Sequence, residues 1–112
     1  MGLKVLVIDD ERDICSLLDT FLTTKGYDVY TASTLTDGIR MMTETQPDII
    51  FLDNNLPDGL GWDKIDTIQQ TLPQCKINLI SAYKFIPGSI KDNPSINLIE
   101  KPITFATLKN YL

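Results

Sequence analysis

Histidine is missing from all 112 residues. Chemistry that needs an imidazole as base, phosphoryl carrier or metal ligand must therefore come from another molecule. Cysteine is scarce as well. Cys15 and Cys75 lie far apart, without metal-type spacing, and read as small side chains that are buried or half-buried. No Lys/Arg-rich run exists to lay against phosphates or anionic lipid, and ten basic against fifteen acidic residues leave a net charge of -5. That argues against direct binding to nucleic acid or to a membrane surface. The apolar run Leu3 to Ile8 is far too short for a membrane span or the core of a signal peptide. Met1-Gly2 is not followed by the Ser/Thr that a myristoylation signal wants. The chain is read as cytoplasmic. What is present is ordinary globular composition, 43% hydrophobic and 22% charged, which points to one self-folding domain over residues 1–112.

Along the chain, short apolar runs alternate with helical stripes. Residues 3–9 (LKVLVID) read as a strand, and Ile14, Leu17, Leu18, Phe21 and Leu22 then recur at helical spacing until Gly26 stops the helix. Residues 27–33 alternate like a strand. Thr34 with Asp37 resembles a capping box that opens a helix through Leu35, Ile39 and Met42, closed by Pro47. The run Ile49-Ile50-Phe51-Leu52 is a buried strand ending on Asp53, followed by a loop at 54–61 in which Pro57 and Gly59 supply turn chemistry. A helix carries Trp62, Ile65, Ile68 and Leu72 up to Pro73. Strands follow at 76–81 and 96–101, and a last helix begins at Ile103 and runs through Phe105 and Leu108 to Leu112. Five strands alternating with helices imply an α/β domain, its mostly parallel sheet covered on both faces.

In such folds ligands sit beyond the carboxyl ends of the strands. Asp9-Asp10, Asp53, Ser81 and Lys101-Pro102 all stand there. Each alone has an ordinary explanation: the aspartates as helix caps, Ser81 as a strand-end hydroxyl, Lys101 as a solvated charge. Together they do not. Three carboxylates in one crevice repel by about 4 kcal/mol per pair at 4 Å and an effective dielectric near 20, so they want a cation beyond Lys101. A hard divalent ion such as Mg²⁺ suits a few carboxylates plus waters and phosphoryl oxygens. A carboxylate can then attack phosphorus to give an aspartyl phosphate, and Asp53 is the natural nucleophile.

These residues, from VLVIDDE through FLDNNLPDGLGW and LISA to LIEKP, resemble the receiver domains of two-component response regulators along essentially the whole chain. The resemblance implies a flavodoxin-like fold, five parallel strands in the order 2-1-3-4-5 with five flanking helices. It implies a phosphoacceptor switch that catalyses only its own phosphorylation and dephosphorylation, and is not otherwise an enzyme. Asp53 would take a phosphoryl group from the phosphohistidine of a sensor kinase or phosphotransfer protein. Asp10, Asp53 and the backbone carbonyl of Asn55 would ligate Mg²⁺ or Mn²⁺, with Asp9 assisting through a metal-bound water. Ser81 would be the switch hydroxyl and Lys101, before a cis Pro102, would pair with the phosphoryl group. Asn55 and Tyr83 would tune the phosphoryl lifetime. An output domain or effector would engage the 83–112 face.

The chain also departs from the family. Receivers often carry an aromatic switch residue three positions before the lysine, where Leu98 stands here. The fourth helix is expected to be short, distorted or mobile, because residues 85–95 (FIPGSIKDNPS) contain two prolines and a glycine. The last helix is expected to be truncated at Leu112. Two alternatives stay open: a phosphorylation-independent interaction or cofactor-binding module of the same fold, and an aspartyl-nucleophile phosphatase of haloacid-dehalogenase type. The phosphatase family wants a second Asp where Asn55 stands.

Overall fold

The computed structural model describes residues 2–82, 88 and 92–109. Its sheet is built from β1 (Lys4–Ile8), β2 (Asp28–Ala32), β3 (Ile49–Asp53), β4 (Lys76–Ser81) and β5 (Ile96–Glu100). All pairings are parallel, in the order β2-β1-β3-β4-β5, as the resemblance implied. The described helices are α1 (Arg12–Thr24), α2 (Leu35–Thr45), α3 (Ile65–Thr71) and α4 (Phe105–Leu108). Of the segment 85–95, where the family's fourth helix is expected, residues 85–87 and 89–91 lie outside the described residues.

Alternation along each strand divides the core in two, because successive side chains point to opposite faces. Val5, Val7, Phe51, Ile80 and Ile99 meet Leu18, Phe21 and Leu22 of α1. Leu6, Ile8, Ile50, Leu52, Ile77 and Leu79 meet Met42 of α2 and Ile65 and Ile68 of α3. With both faces covered, β3 is buried throughout, which is why it reads as a continuous apolar run. Full burial of each such side chain contributes about 1.5–3 kcal/mol. α4 joins the α1 side, Phe105 stacking on Phe21 with ring centroids 5.6 Å apart.

The helix ends follow their local chemistry. Gly26, at φ 93°, turns the chain out of α1 while its N–H donates to the carbonyl of Thr23. Thr34 caps α2 by accepting from the N–H of Asp37 at 3.1 Å, and Gln46 closes it in the left-handed region ahead of Pro47. Two expectations need correction. α3 begins at Ile65, because Gly61–Lys64 forms a 3-10 turn. Asn54 draws that turn tight, accepting from the N–H of Gly61 on its carbonyl and from the N–H of Trp62 on its side-chain oxygen, at 2.9 and 3.0 Å. The last helix starts at Phe105 instead of Ile103, since Thr104 and Thr107 cap it reciprocally. The loop at 54–61 is also partly ordered, Asn55–Leu56 pairing antiparallel with Gly59–Leu60.

Candidate functional site at the carboxyl ends of the strands

Parallel register brings the candidate residues to one rim. Asp9 follows β1 and extends the ladder, its N–H donating to the carbonyl of Ala32 at 3.0 Å. Asp53 is the last residue of β3, level with Ile80, and Ser81 ends β4. Lys101 follows β5 and donates its N–H to the carbonyl of Ser81 at 3.0 Å. The Lys101–Pro102 peptide is cis, as expected.

One ligand atom from each of Asp9, Asp10 and Asp53 lies within 4.8 Å of the others. Asp9 and Asp53 are each 1% exposed, whereas Asp10 faces solvent, so the cluster is a buried pair with one open side. Each buried carboxylate is half satisfied. Asp9 Oδ1 accepts from the N–H of Glu11 at 2.9 Å and Asp53 Oδ1 from the N–H of Asn55 at 3.3 Å. Asp9 Oδ2 and Asp53 Oδ2 have no hydrogen-bond donor among the described residues. Burial pushes Asp9 up to about 7, against the Glu11 N–H and with help from the charge of Asp53. Asp53 is raised too, by burial first, while the Asn55 N–H and Lys101 oppose the shift. Two buried anionic oxygens without donors, beside a third carboxylate, are a donor set that fits a hard divalent cation.

Lys101 supplies the positive charge. Its Nζ lies 3.4 Å from Asp53 Oδ1 and 2.6 Å from Glu11 Oε1. Burial alone would lower its pKa, yet Glu11, Asp9 and Asp53 outweigh burial and raise it. Cys15 sits beside the site, its thiol donating to the carbonyl of Asp9, and burial with the nearby carboxylates pushes it to about 11. Cys75 is likewise raised to about 11 by burial, which disfavours the thiolate in both cysteines.

Comparison with known proteins decides the family. The model of the response regulator receiver domain matches residues 5–112. The chain belongs to that family. This receiver is 30% identical over 108 residues to response regulator protein PilR of Pseudomonas aeruginosa, covering 95% of the present chain and 24% of PilR. It thus spans about a quarter of that relative's length. Among solved structures, a two-component response regulator from Clostridium difficile is 28% identical, with TM-score 0.85 over 98% of this chain and 92% of that one. A response regulator receiver domain protein from Clostridium thermocellum is 27% identical, with TM-score 0.81 over 96% and 89%. Receivers are signalling domains that work with histidine kinases and output domains, and they generally bind Mg²⁺ in an acidic pocket; here the acidic cluster is Asp9, Asp10 and Asp53.

The structure brings Asp9, Asp10, Asp53 and Lys101 together and sets Ser81 on the adjoining strand end. Asn55 contributes its N–H to Asp53; its side is exposed. Tyr83 lies outside the described residues. Three neighbours were missed by sequence reasoning. Glu11 is the partner of Lys101, and the acidic run Asp9-Asp10-Glu11 was its one signal. Asp58, read as loop chemistry, accepts from the N–H groups of Leu35 and Thr36 at 2.8 and 2.9 Å, tying the loop after Asp53 to the start of α2. These bonds hold its carboxyl down at about 2. Gly61 packs so closely that a Cβ there would collide with the carbonyl oxygen of Asp53. Among the described residues no helix is long and apolar enough to cross a membrane.

Proposed function

We propose that this receiver is phosphorylated on Asp53 by the phosphohistidine of a sensor kinase or phosphotransfer protein, in a reaction that depends on Mg²⁺ or Mn²⁺. The supporting observation is Asp53 itself, buried yet with Oδ2 lacking a donor among the described residues, grouped with Asp9, Asp10 and Lys101. Asp10, Asp53 and the Asn55 carbonyl would hold the cation, with Asp9 acting through a water. Once bound, the cation supplies charge neutralisation at the transferred oxygens. An Asp53 oxygen attacks phosphorus; the O–P bond forms as the P–N bond to the donor histidine breaks, and the electron pair leaves on the imidazole nitrogen. Lys101 and Ser81 bind phosphoryl oxygens, and Asn55 and Tyr83 set how readily water reaches the acyl phosphate.

On this reading the chain acts in the cytoplasm, catalyses only its own phosphorylation and dephosphorylation, and passes the signal through the 83–112 face to an output domain or effector. Incubation with Mg²⁺ and acetyl phosphate followed by intact mass measurement tests it. One phosphate adduct, mapped to Asp53, is the expected result. Turnover of phosphate esters would instead indicate a phosphatase, and neither outcome a phosphorylation-independent module.

A further inference from the structure

We propose that Glu11 is a positioning residue that holds Lys101 away from the phosphoryl site and so acts as a brake on phosphorylation. The inference rests on the assignment of Asp53 as phosphoacceptor. Lys101 Nζ is divided between two carboxylates, 2.6 Å from Glu11 Oε1 and 3.4 Å from Asp53 Oδ1. The first is a short charge-assisted hydrogen bond; the second exceeds the usual length of one. The lysine therefore leans to the rim and not to the group it is to stabilise. Among the described residues Glu11 has no competing bond. It stands at the N-cap of α1, yet its side chain makes no capping bond, so its carboxylate is committed to Lys101 alone in the described structure.

The pair is built to be broken. Glu11 is 53% exposed in its side chain and Lys101 16%, so water can take over the carboxylate when the lysine leaves. A surface ion pair of that kind is weak, and a phosphoryl group offers several anionic oxygens at once. Transfer of Lys101 from Glu11 to the phosphoryl group must nevertheless accompany phosphorylation, and the lost pair is subtracted from its driving force. Replacing Glu11 by its neutral isostere removes the competing charge without removing a side-chain capping bond.

The test titrates fluoroberyllate, a phosphoryl mimic, at saturating Mg²⁺, read by the single tryptophan, Trp62, whose N–H is bonded to Asn54 next to Asp53. Glu11→Gln should bind the mimic roughly two- to fivefold more tightly than the unaltered chain, the range a surface pair of this kind accounts for. Its Mg²⁺ affinity, measured without the mimic, should not rise. Asp13→Asn removes an exposed charge two residues further along, in the first turn of α1, and should leave mimic affinity unchanged. A second readout needs no ligand: the Lys101 ammonium resonance should shift in metal-free Glu11→Gln and stay put in Asp13→Asn. Unchanged or weaker mimic binding in Glu11→Gln, or an equal gain in Asp13→Asn, overturns the role of Glu11. Failure of the unaltered chain to bind the mimic, or equal binding by Asp53→Asn, overturns the phosphoacceptor assignment and this proposal with it.

Discussion

Replacing Asp9 by Asn should stabilise the metal-free protein while weakening its hold on Mg²⁺. The buried carboxylate pair is the reason. Asp9 Oδ1 already accepts from the Glu11 N–H, a bond Asn can keep, but Oδ2 has no donor among the described residues and the cluster brings the other two carboxylates within 4.8 Å. At that separation each like-charge pair costs about 3 kcal/mol at an effective dielectric near 20, offset in part by Lys101. The raised pKa, which reflects burial first and the charge of Asp53 after it, is of similar size: moving a carboxyl from 3.8 to about 7 corresponds to about 4 kcal/mol. Asp10 opens the cluster to solvent, so about half of that survives screening, or about 2 kcal/mol. The sign with pH follows from proton binding. The folded chain keeps this proton more tightly than the unfolded one, so Asp9 lowers stability progressively as pH rises from about 4 to about 7, and the loss is complete above that. Thermal melts of the chelator-treated protein at pH 8 should therefore place Asp9→Asn roughly 8 °C above the unaltered chain. At pH 5 the gain should shrink to less than about 1 kcal/mol. Saturating Mg²⁺ should stabilise the unaltered chain and narrow the gap. A variant no more stable at pH 8, or one whose advantage is the same at pH 5, would refute the claim that buried, unmatched charge is what the cation relieves.

Further expectations concern the rim and its supports. Asp53→Asn should give no phosphate adduct by intact mass, and Asp10→Asn should weaken Mg²⁺ binding in calorimetry; undiminished affinity would remove Asp10 from the ligand set. Gly61→Ala should cost about 2 kcal/mol in urea denaturation, because its Cβ would drive into the Asp53 carbonyl; a neutral effect would show that the 3-10 turn moves freely. Tyr83→Glu should shorten the phosphoryl lifetime measured by loss of the adduct with time, and an unchanged or longer half-life would count against shielding by Tyr83.

The sheet and its functional rim were legible because both are consequences of local pattern. A fully buried parallel strand reads as an apolar run, and the polar residue that ends it, Asp9 or Asp53, must then emerge at the carboxyl edge. Partners across the fold were not legible. Lys101 and Glu11 are 90 residues apart, and Asp58 lies 23 from Leu35, so no periodicity links them. The shifted start of α3 has the same origin. Helical spacing alone admits Trp62, but a bond from its N–H to the buried amide of Asn54 tightens the first turn into a 3-10 helix.

The arrangement of the rim also constrains how it can respond. Its backbone is tied strand to strand, Asp9 to Ala32, Asn54 to Ile80 and Lys101 to Ser81, through hydrogen bonds of 2.9 to 3.0 Å. A change of charge at Asp53 therefore meets strand ends whose main chain resists displacement, and the freedom left is in side chains and in the loops beyond them. Leu98, where receivers often have an aromatic, is half-buried against the core on the α2 and α3 side and has no hydroxyl to exchange between partners. Lys101, by contrast, already has two carboxylates within reach of its ammonium. On the proposed function, the earliest response of this receiver is thus a choice of partner by one lysine, made in the mouth of the site before any strand has to move.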